Sequence, residues 1–392
     1  MKRGFWGATL VCLVAACSGG ADTAPDSGTE VSTTSTPMPT TSTPTATSTT
    51  TTTSTTTSPT TTTTTAPDIG APGVYSGEWD IVDPPASFDI DYIDSLVEES
   101  FDVRGVRSLR SVVVVHDDRI VYERYHPDLD ADSIMVSYSV AKSFASAVVG
   151  ILVGEGRLDL DAPAPVAEWS SAGDSRGSIT LENLLHMSSG LRWTEGFDVD
   201  SGGADVLRIL VAPDAAAFAA SRPLEDPIDT VFEYSSGTTA IIGRIIADAL
   251  GGSEEVEPFV RKRLLDPIGI ESTRLQKDPT GRWIALLGAD STSRDFARFG
   301  LLFLHDGVWG DERVLPEGWV EYSRTPASTT DEYGAHWWIV DGELEARGLF
   351  GQLIRVSPRR DVVIAINRDA GSLASGGEDL VTAILDQFAT IR

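Results

Sequence analysis

The strongest chemical signal in the sequence is a serine followed by a lysine three residues later. Ser139 and Lys142 begin a run in which most of the following residues are apolar. On a helix, positions i and i+3 share one face, with Cβ atoms about 5–6 Å apart. A lysine amine at this spacing can take the proton of the serine hydroxyl, and a helix start favours the developing negative charge. The pair predicts Ser139 as nucleophile and Lys142 as its base.

A purely structural interpretation of the same pair makes Ser139 a helix cap and Lys142 a surface residue. Against it, the chain has few lysines, and no other follows a serine by three positions: Lys2, Lys142, Lys262 and Lys277. A lysine in an apolar helix is costly unless it has a partner or a task. A lysine that acts as a base at neutral pH needs a pKa about 3 pH units below its usual 10.4. That difference corresponds to about 4 kcal/mol in favour of the neutral amine over the charged one. Burial acts in that direction.

A second polar group stands in the segment Tyr234-Ser235-Ser236-Gly237. Tyr234 could donate a proton to a leaving group, and Ser236 could contact Lys142 or the substrate. The alternative is that Tyr234 packs on the core while the serines and glycine form a helix N-cap.

Two further patterns are interpreted as structural. The segment Gly173-Asp174-Ser175-Arg176-Gly177 matches G-x-S-x-G but lacks the apolar strand before it and the apolar helix after it that a nucleophile elbow needs. The five histidines have no metal-binding spacing, and His186 is expected to be structural. We therefore expect no metal and no organic cofactor.

Hydrophobic periodicity predicts strands near both ends of the domain and helices between them. This is an α+β pattern: an antiparallel sheet flanked by helices, with an inserted, mainly helical lobe and the site at the lobe boundary. The elements are a hairpin over 112–125, helices over 139–153, 239–250 and 293–305, strands over 337–340, 349–356 and 361–367, and a closing helix over 377–391.

The first 68 residues are expected to lie outside the folded domain. Residues 1–16 have the charged start and apolar stretch of a signal peptide, and Val14-Ala15-Ala16-Cys17 fits a lipobox that would acylate Cys17; a plain secretory signal is the alternative. Residues 17–68 are rich in Ser, Thr and Pro, which is typical of a disordered stalk. We expect a bacterial lipoprotein at the extracellular face of the cell membrane, near the cell wall, with its domain over 84–392.

The charge balance disfavours one class of partner. The formal net charge is −28, from 58 acidic and 30 basic residues, and no basic patch stands out. Nucleic-acid binding needs such a patch, so it is not expected.

Several further motifs follow one another along the chain, in the segments 139–144, 184–191, 232–237, 293–300, 333–338, 351–352 and 356–358. Together they resemble the serine β-lactamase-related hydrolases, which include class C β-lactamases, DD-peptidases and esterases, and they look most like the branch of the 6-aminohexanoate-dimer hydrolases. The resemblance implies an acyl-enzyme on Ser139, proton transfer through Lys142 and Tyr234, and an oxyanion hole made by the N–H groups of Ser139 and Leu349, beside Gly348.

Two departures from the family pattern bear on the substrate. Members active on β-lactams carry Tyr-x-Asn, where this chain has Ser236, and Lys-Thr-Gly, where it has Ala346-Arg347-Gly348. Unless Arg347 or Arg355 substitutes, the cation that would hold a substrate carboxylate is absent. The sequence therefore predicts a serine hydrolase that cleaves an ester or a small linear amide. The alternatives are a β-lactamase or DD-peptidase, and a non-catalytic binding protein of the cell envelope.

Overall fold

A six-stranded antiparallel sheet forms the centre of the protein. The computed structural model describes residues 77–101, 109–196, 204–369 and 376–390. The strand order is β2-β1-β6-β5-β4-β3, and all neighbours pair antiparallel. The strands are β1 (Leu109–His116), β2 (Arg119–Tyr125), β3 (Trp338–Val340), β4 (Glu343–Gly348), β5 (Gln352–Ser357) and β6 (Val362–Arg368). Two short hairpins pair Arg274–Leu275 with Ala289–Asp290 and Val308–Trp309 with Glu312–Arg313.

Strand β1 has an unbroken apolar run because both of its faces are covered. Side chains alternate between the two faces of a strand. Val113 and Val115 accordingly join the core on one side of the sheet, and Val112 and Val114 join the core on the other. The sheet is therefore the middle layer of the domain.

Helices cover both faces of this sheet and fill the inserted lobe. The helices are α1 (Ile90–Phe101), α2 (Ala141–Gly154), α3 (Leu181–Leu185), α4 (Asp205–Val211), α5 (Ala215–Ala220), α6 (Ser236–Leu250), α7 (Val256–Val260), α8 (Ser293–Leu304), α9 (Trp319–Arg324) and α10 (Gly376–Leu385). Helices α1 and α10 pack on one face. On the other, α2 and α8 meet where the rings of Phe144 and Phe299 stack 3.8 Å apart. Within the described ranges, no helix has the length and apolarity needed to cross a bilayer.

The predicted fold class is confirmed, as are the first hairpin and the long helices. The strand predicted over 349–356 is present as β5, but it begins three residues later than predicted. Two strands, β4 and β5, flank a turn at Leu349–Gly351, because Phe350 and Gly351 have φ of 65° and 90° and cannot continue a strand. Strand β4 escaped prediction because it carries Glu343 and Glu345, a residue type depleted in strands.

The predictions for the N-terminal part of the chain concern residues that the structure does not describe. The signal peptide over 1–16, the lipidated Cys17 and the stalk over 17–68 all lie outside the described ranges. They stay predictions.

Candidate active site

Ser139 lies in a single 3₁₀ turn, Tyr138–Val140, that runs directly into helix α2. Tyr138, the residue before it, has a φ of 43°, a conformation that costs a residue with a side chain about 1–3 kcal/mol and is typical of functional sites. The turn is anchored by Ser137, whose N–H donates to Asp290 at 2.9 Å and whose hydroxyl donates to the Leu287 carbonyl at 2.8 Å. Ser139 itself stays partly exposed, so a substrate can reach it.

Lys142 is 1% exposed, one turn further along helix α2. Its Nζ lies 3.1 Å from Ser139 Oγ, 3.1 Å from Ser236 Oγ and 3.2 Å from the Leu286 carbonyl oxygen. Burial lowers the pKa of Lys142 from 10.5 to about 8, against the opposing effect of Glu195. This lowering corresponds to about 3 kcal/mol in favour of the neutral amine. The amine is therefore placed and tuned to accept a proton from Ser139.

Tyr234 and Ser236 reach the same point from the start of helix α6. Ser235 is the N-cap, accepting a hydrogen bond from the N–H of Thr238 at 3.0 Å, as the structural interpretation of this motif proposed. Its neighbours nevertheless face the site, since Ser236 contacts Lys142 and the ring centroid of Tyr234 lies 5.1 Å from Lys142 Nζ. Burial raises the pKa of Tyr234, so the phenol keeps its proton at neutral pH.

Tyr234 belongs to a cluster of four aromatic side chains that contact one another: Phe232, Tyr234, Tyr333 and Trp338. The ring of Tyr234 stacks on Trp338 with centroids 5.4 Å apart and meets Tyr333 edge-on at 5.9 Å. Phe232 lies 5.3 Å from Tyr333. Such ring contacts fix the orientation of the Tyr234 phenol. Nothing in the sequence predicts that the segments 232–237 and 333–338 meet.

Glu195 is a site residue that sequence analysis missed. One carboxylate oxygen accepts from Ser236 Oγ at 2.5 Å, and the other accepts from the Ser236 N–H at 2.8 Å and from Trp193 Nε1 at 2.5 Å. Ser236 connects it to Lys142. A single acidic residue in an irregular loop has no periodic or motif signal, and only folding brings Glu195 against a helix 41 positions away.

Gly348 brings the end of strand β4 against the Ser139 turn. A Cβ on Gly348 would lie 2.7 Å from the Ser137 carbonyl oxygen, a clash that only glycine avoids. Just beyond Leu349, the ring of Phe350 meets that of Tyr138 edge-on at 5.4 Å. Leu349 thus lies between two residues that contact the Ser139 turn, in a bend rather than on a strand. Its N–H as an oxyanion donor stays a prediction.

The candidate substitutes for the missing lysine are already engaged. Ala346 is buried in the core, so no cation stands at that position of the strand. Arg355 is buried and pairs with Glu343 at 3.2 Å and Glu345 at 3.1 Å. Arg347 also pairs with Glu345 and lies over the ring of Trp338, 5.5 Å from its centroid.

Within the described ranges, the motifs interpreted as structural make no side-chain hydrogen bond with Ser139, Lys142 or Tyr234. Ser175 is exposed in a short surface turn. His186 packs at 5.3 Å against Tyr322. His336 is buried, with a pKa lowered to about 3 by that burial and both ring nitrogens bonded, to the Leu185 carbonyl and to Thr239. No cluster of metal-binding side chains occurs in the part of the chain that the structure describes.

Comparison with known proteins places this site in a family. The model of the β-lactamase family matches residues 93–372. The chain is 27% identical to a 6-aminohexanoate-dimer hydrolase of Paenarthrobacter ureafaciens over 64% of its own length and 70% of that protein. It is 29% identical to penicillin-binding protein 4 of Amycolatopsis lactamdurans, covering 67% and 78% of the two chains. It shares its fold with a penicillin-binding protein homologue of Pyrococcus abyssi, at a TM-score of 0.62, 21% identity and coverage of 77% and 78%.

Proposed function

The chain belongs to the β-lactamase family, and from that premise we propose that it is a serine hydrolase that cleaves an ester or a small linear amide through an acyl-enzyme on Ser139. The observation that carries this proposal is the buried Nζ of Lys142, 3.1 Å from Ser139 Oγ. A lysine held out of water at this distance costs folding energy. Its contact with the serine hydroxyl supports a role in which the amine exchanges protons with Ser139.

The reaction follows from the order of the groups. Ser139 Oγ attacks the substrate carbonyl carbon while Lys142 takes the hydroxyl proton, giving a tetrahedral intermediate and a charged ammonium. The N–H groups of Ser139 and Leu349 would stabilise the oxyanion; losing one such donor typically costs about 100- to 1,000-fold in rate. Tyr234 passes a proton to the leaving alcohol or amine as the carbon–oxygen or carbon–nitrogen bond breaks, and receives one from Lys142. Water then repeats the sequence on the ester of Ser139 and releases the acid.

The charges around the strand that faces Ser139 favour substrates without a carboxylate at that place. Binding such a carboxylate in a partly buried site needs a cation that can pair with it. Ala346 offers none, and the guanidinium groups of Arg347 and Arg355 are paired with Glu345. Esters and linear amides have no such requirement, whereas β-lactams and peptides ending in D-Ala do. One of the relatives is named a 6-aminohexanoate-dimer hydrolase, and the bond that joins two amino acids in a dimer is an amide.

We also propose that the enzyme works outside the cell, attached to the membrane through an acylated Cys17. The support is the lipobox Val14–Cys17 and the Ser/Thr/Pro-rich segment after it, which would hold the domain away from the bilayer. Labelling with a clickable palmitate analogue, compared between the full chain and Cys17→Ala, tests this. Equal labelling of both would contradict it.

A substrate panel tests the catalytic proposal. We expect a fluorophosphonate probe to label the full-length protein, and Ser139→Ala to lose that labelling. Turnover of p-nitrophenyl esters or of a linear amide, absent in Ser139→Ala, would support the proposed reaction. Faster turnover of nitrocefin or of a D-Ala-D-Ala peptide than of every ester and linear amide would favour the β-lactamase or DD-peptidase alternative. An unreactive Ser139 with retention on peptidoglycan would favour the binding protein.

A further inference from the structure

We propose that Glu195 is a positioning residue: it fixes the direction of the hydrogen bonds around Lys142, so that the lone pair of the neutral amine faces the hydroxyl of Ser139. This inference rests on the proposed function, because it assigns a role within that reaction. It concerns a residue for which the sequence offered no signal.

The hydrogen bond between Ser236 Oγ and the carboxylate of Glu195 can have only one direction. A carboxylate accepts hydrogen bonds and donates none. Since Ser236 Oγ lies 2.5 Å from Glu195 Oε1, the hydroxyl proton of Ser236 must lie on that bond. Ser236 Oγ is then left with acceptor positions only, and a contact with any other group must be one in which that group donates.

The Nζ atom of Lys142 lies within hydrogen-bond distance of three oxygen atoms. A neutral amine has two hydrogens and one lone pair. The Leu286 carbonyl, 3.2 Å from Nζ, can only accept, and Ser236 Oγ, 3.1 Å from Nζ, can only accept once its own proton is given to Glu195. Both hydrogens are therefore used. The lone pair is left for the third partner, Ser139 Oγ at 3.1 Å, which must donate to it. This is the polarity that the attack by Ser139 requires.

The carboxylate of Glu195 is held in place at both of its oxygens. Its two oxygens already receive three hydrogen bonds, from Ser236 Oγ, the Ser236 N–H and Trp193 Nε1. Its charge nevertheless acts on Lys142, because it raises the pKa of Lys142 against the effect of burial. The other titratable groups near the amine are the phenol of Tyr234, whose ring centroid lies 5.1 Å from Nζ, and His336, which burial keeps neutral.

Glu195→Gln tests the proposal because the structure fixes how the new amide must lie. The position of Oε2 faces two N–H donors, from Ser236 and Trp193, so the amide oxygen takes that position and the NH₂ group faces Ser236 Oγ. Ser236 then turns its proton toward the lone pair of Lys142 and competes with Ser139. We expect kcat for a p-nitrophenyl ester to fall about 100-fold. We also expect the acid limb of the pH–kcat/KM profile to move to lower pH, because the negative charge beside Lys142 is gone.

Ser236→Ala separates direction from charge. It removes the accepting hydroxyl but keeps Glu195, so we expect a smaller fall in kcat, about 10-fold, with the acid limb unmoved. Glu312→Gln, at an exposed strand position, is the matched control, and thermal melting identifies variants that are folded. The proposal is overturned if folded Glu195→Gln keeps the wild-type kcat or the wild-type acid limb, or if Ser236→Ala keeps the wild-type kcat. The second result decides should Glu195→Gln fail to fold. Activity retained by Ser139→Ala would instead contradict the proposed function.

Discussion

Two segments of this chain carry a serine in a pattern associated with hydrolases, and only one is built into a site. Ser139 lies between a strained Tyr138 and a fully buried helix, within 3.1 Å of an amine. Ser175 lies exposed on a surface turn whose main interactions are those of its neighbours Asp174 and Arg176 with each other. A serine therefore gains a base and an accessible position from the fold around it, more than from the residues next to it in the sequence.

The two segments also differ in the pKa of the basic side chain near each serine. The guanidinium of Arg176 is hydrogen-bonded to Asp174, which raises the pKa of Arg176 and keeps the charge permanent. Lys142 is instead surrounded by uncharged hydroxyl and carbonyl oxygens, and burial lowers its pKa to about 8. A permanent cation cannot take a proton, whereas a desolvated lysine can. Desolvation at one segment therefore produces a base, whereas the other segment offers only a guanidinium, which stays charged with or without a partner.

The largest difference is expected between the two serines themselves. Ser139→Ala should lower kcat/KM for a p-nitrophenyl ester by about 10⁴-fold or more, because the attacking oxygen is lost. Ser175→Ala should leave kcat/KM within about twofold of wild type, since that hydroxyl touches no site residue. Steady-state kinetics on both proteins checks this. Comparable losses of kcat/KM in the two variants would contradict the assignment of Ser139, rather than Ser175, as the nucleophile.

Lys142→Met should lower kcat by about 10³-fold, because it removes the base while filling a similar volume. Lys262→Met, at an exposed position, is the matched control and should keep wild-type kcat. Single-turnover labelling with a fluorophosphonate separates the acylation step from later steps. Normal labelling rates in Lys142→Met would show that Ser139 needs no base at this position.

The pH dependence of the wild-type enzyme tests whether the lowered pKa of Lys142 controls its activity. Lys142 must be neutral to act, and burial lowers its pKa to about 8. The value of kcat/KM should therefore rise about tenfold per pH unit up to about pH 8 and level off above it. Profiles for two esters with different leaving groups check that the limb belongs to the enzyme. A flat profile between about pH 6 and 9 would contradict the assignment of Lys142 as base.

Tyr234→Phe should have a smaller effect, about 10- to 100-fold on kcat. The ring contacts with Trp338 and Tyr333 are kept, and only the phenolic proton path is lost. The loss should be larger for an amide than for an activated ester, because an amine leaves only when protonated. Equal losses for the two substrates would argue that Tyr234 does not protonate the leaving group.

The smallest expected change is one of stability. Since the folded state lowers the pKa of Lys142, the amine binds its proton less tightly than in the unfolded chain, and stability should increase as the pH rises from about 8 to 10.5. Below about pH 8 the full cost applies, about 3 kcal/mol. Lys142→Met should therefore raise the melting temperature at neutral pH, while Lys262→Met should not. A lower melting temperature for Lys142→Met would show that the hydrogen bonds of the amine outweigh its desolvation.

The sequence by itself determined the features that depend on near neighbours in the chain. The pairing of Ser139 with Lys142 is one helical turn, the hairpin of β1 and β2 is two apolar runs around Asp117-Asp118, and the burial of helix α2 follows from its apolar residues. The absence of a lysine beside Gly348 was likewise visible. These patterns need only the periods of helix and strand, which are the same in every protein.

Only the tertiary structure decided the features that join distant segments. It brought Glu195 to Ser236, the Leu286 carbonyl to Lys142, and Trp338 to Tyr234. It also moved the start of the strand predicted over 349–356 to Gln352, just after the positive φ of Phe350. The physical reason is that such contacts depend on how helices and loops pack around a shared core, which involves the whole chain at once. The sequence around Glu195 gives no indication that its carboxylate will contact Ser236.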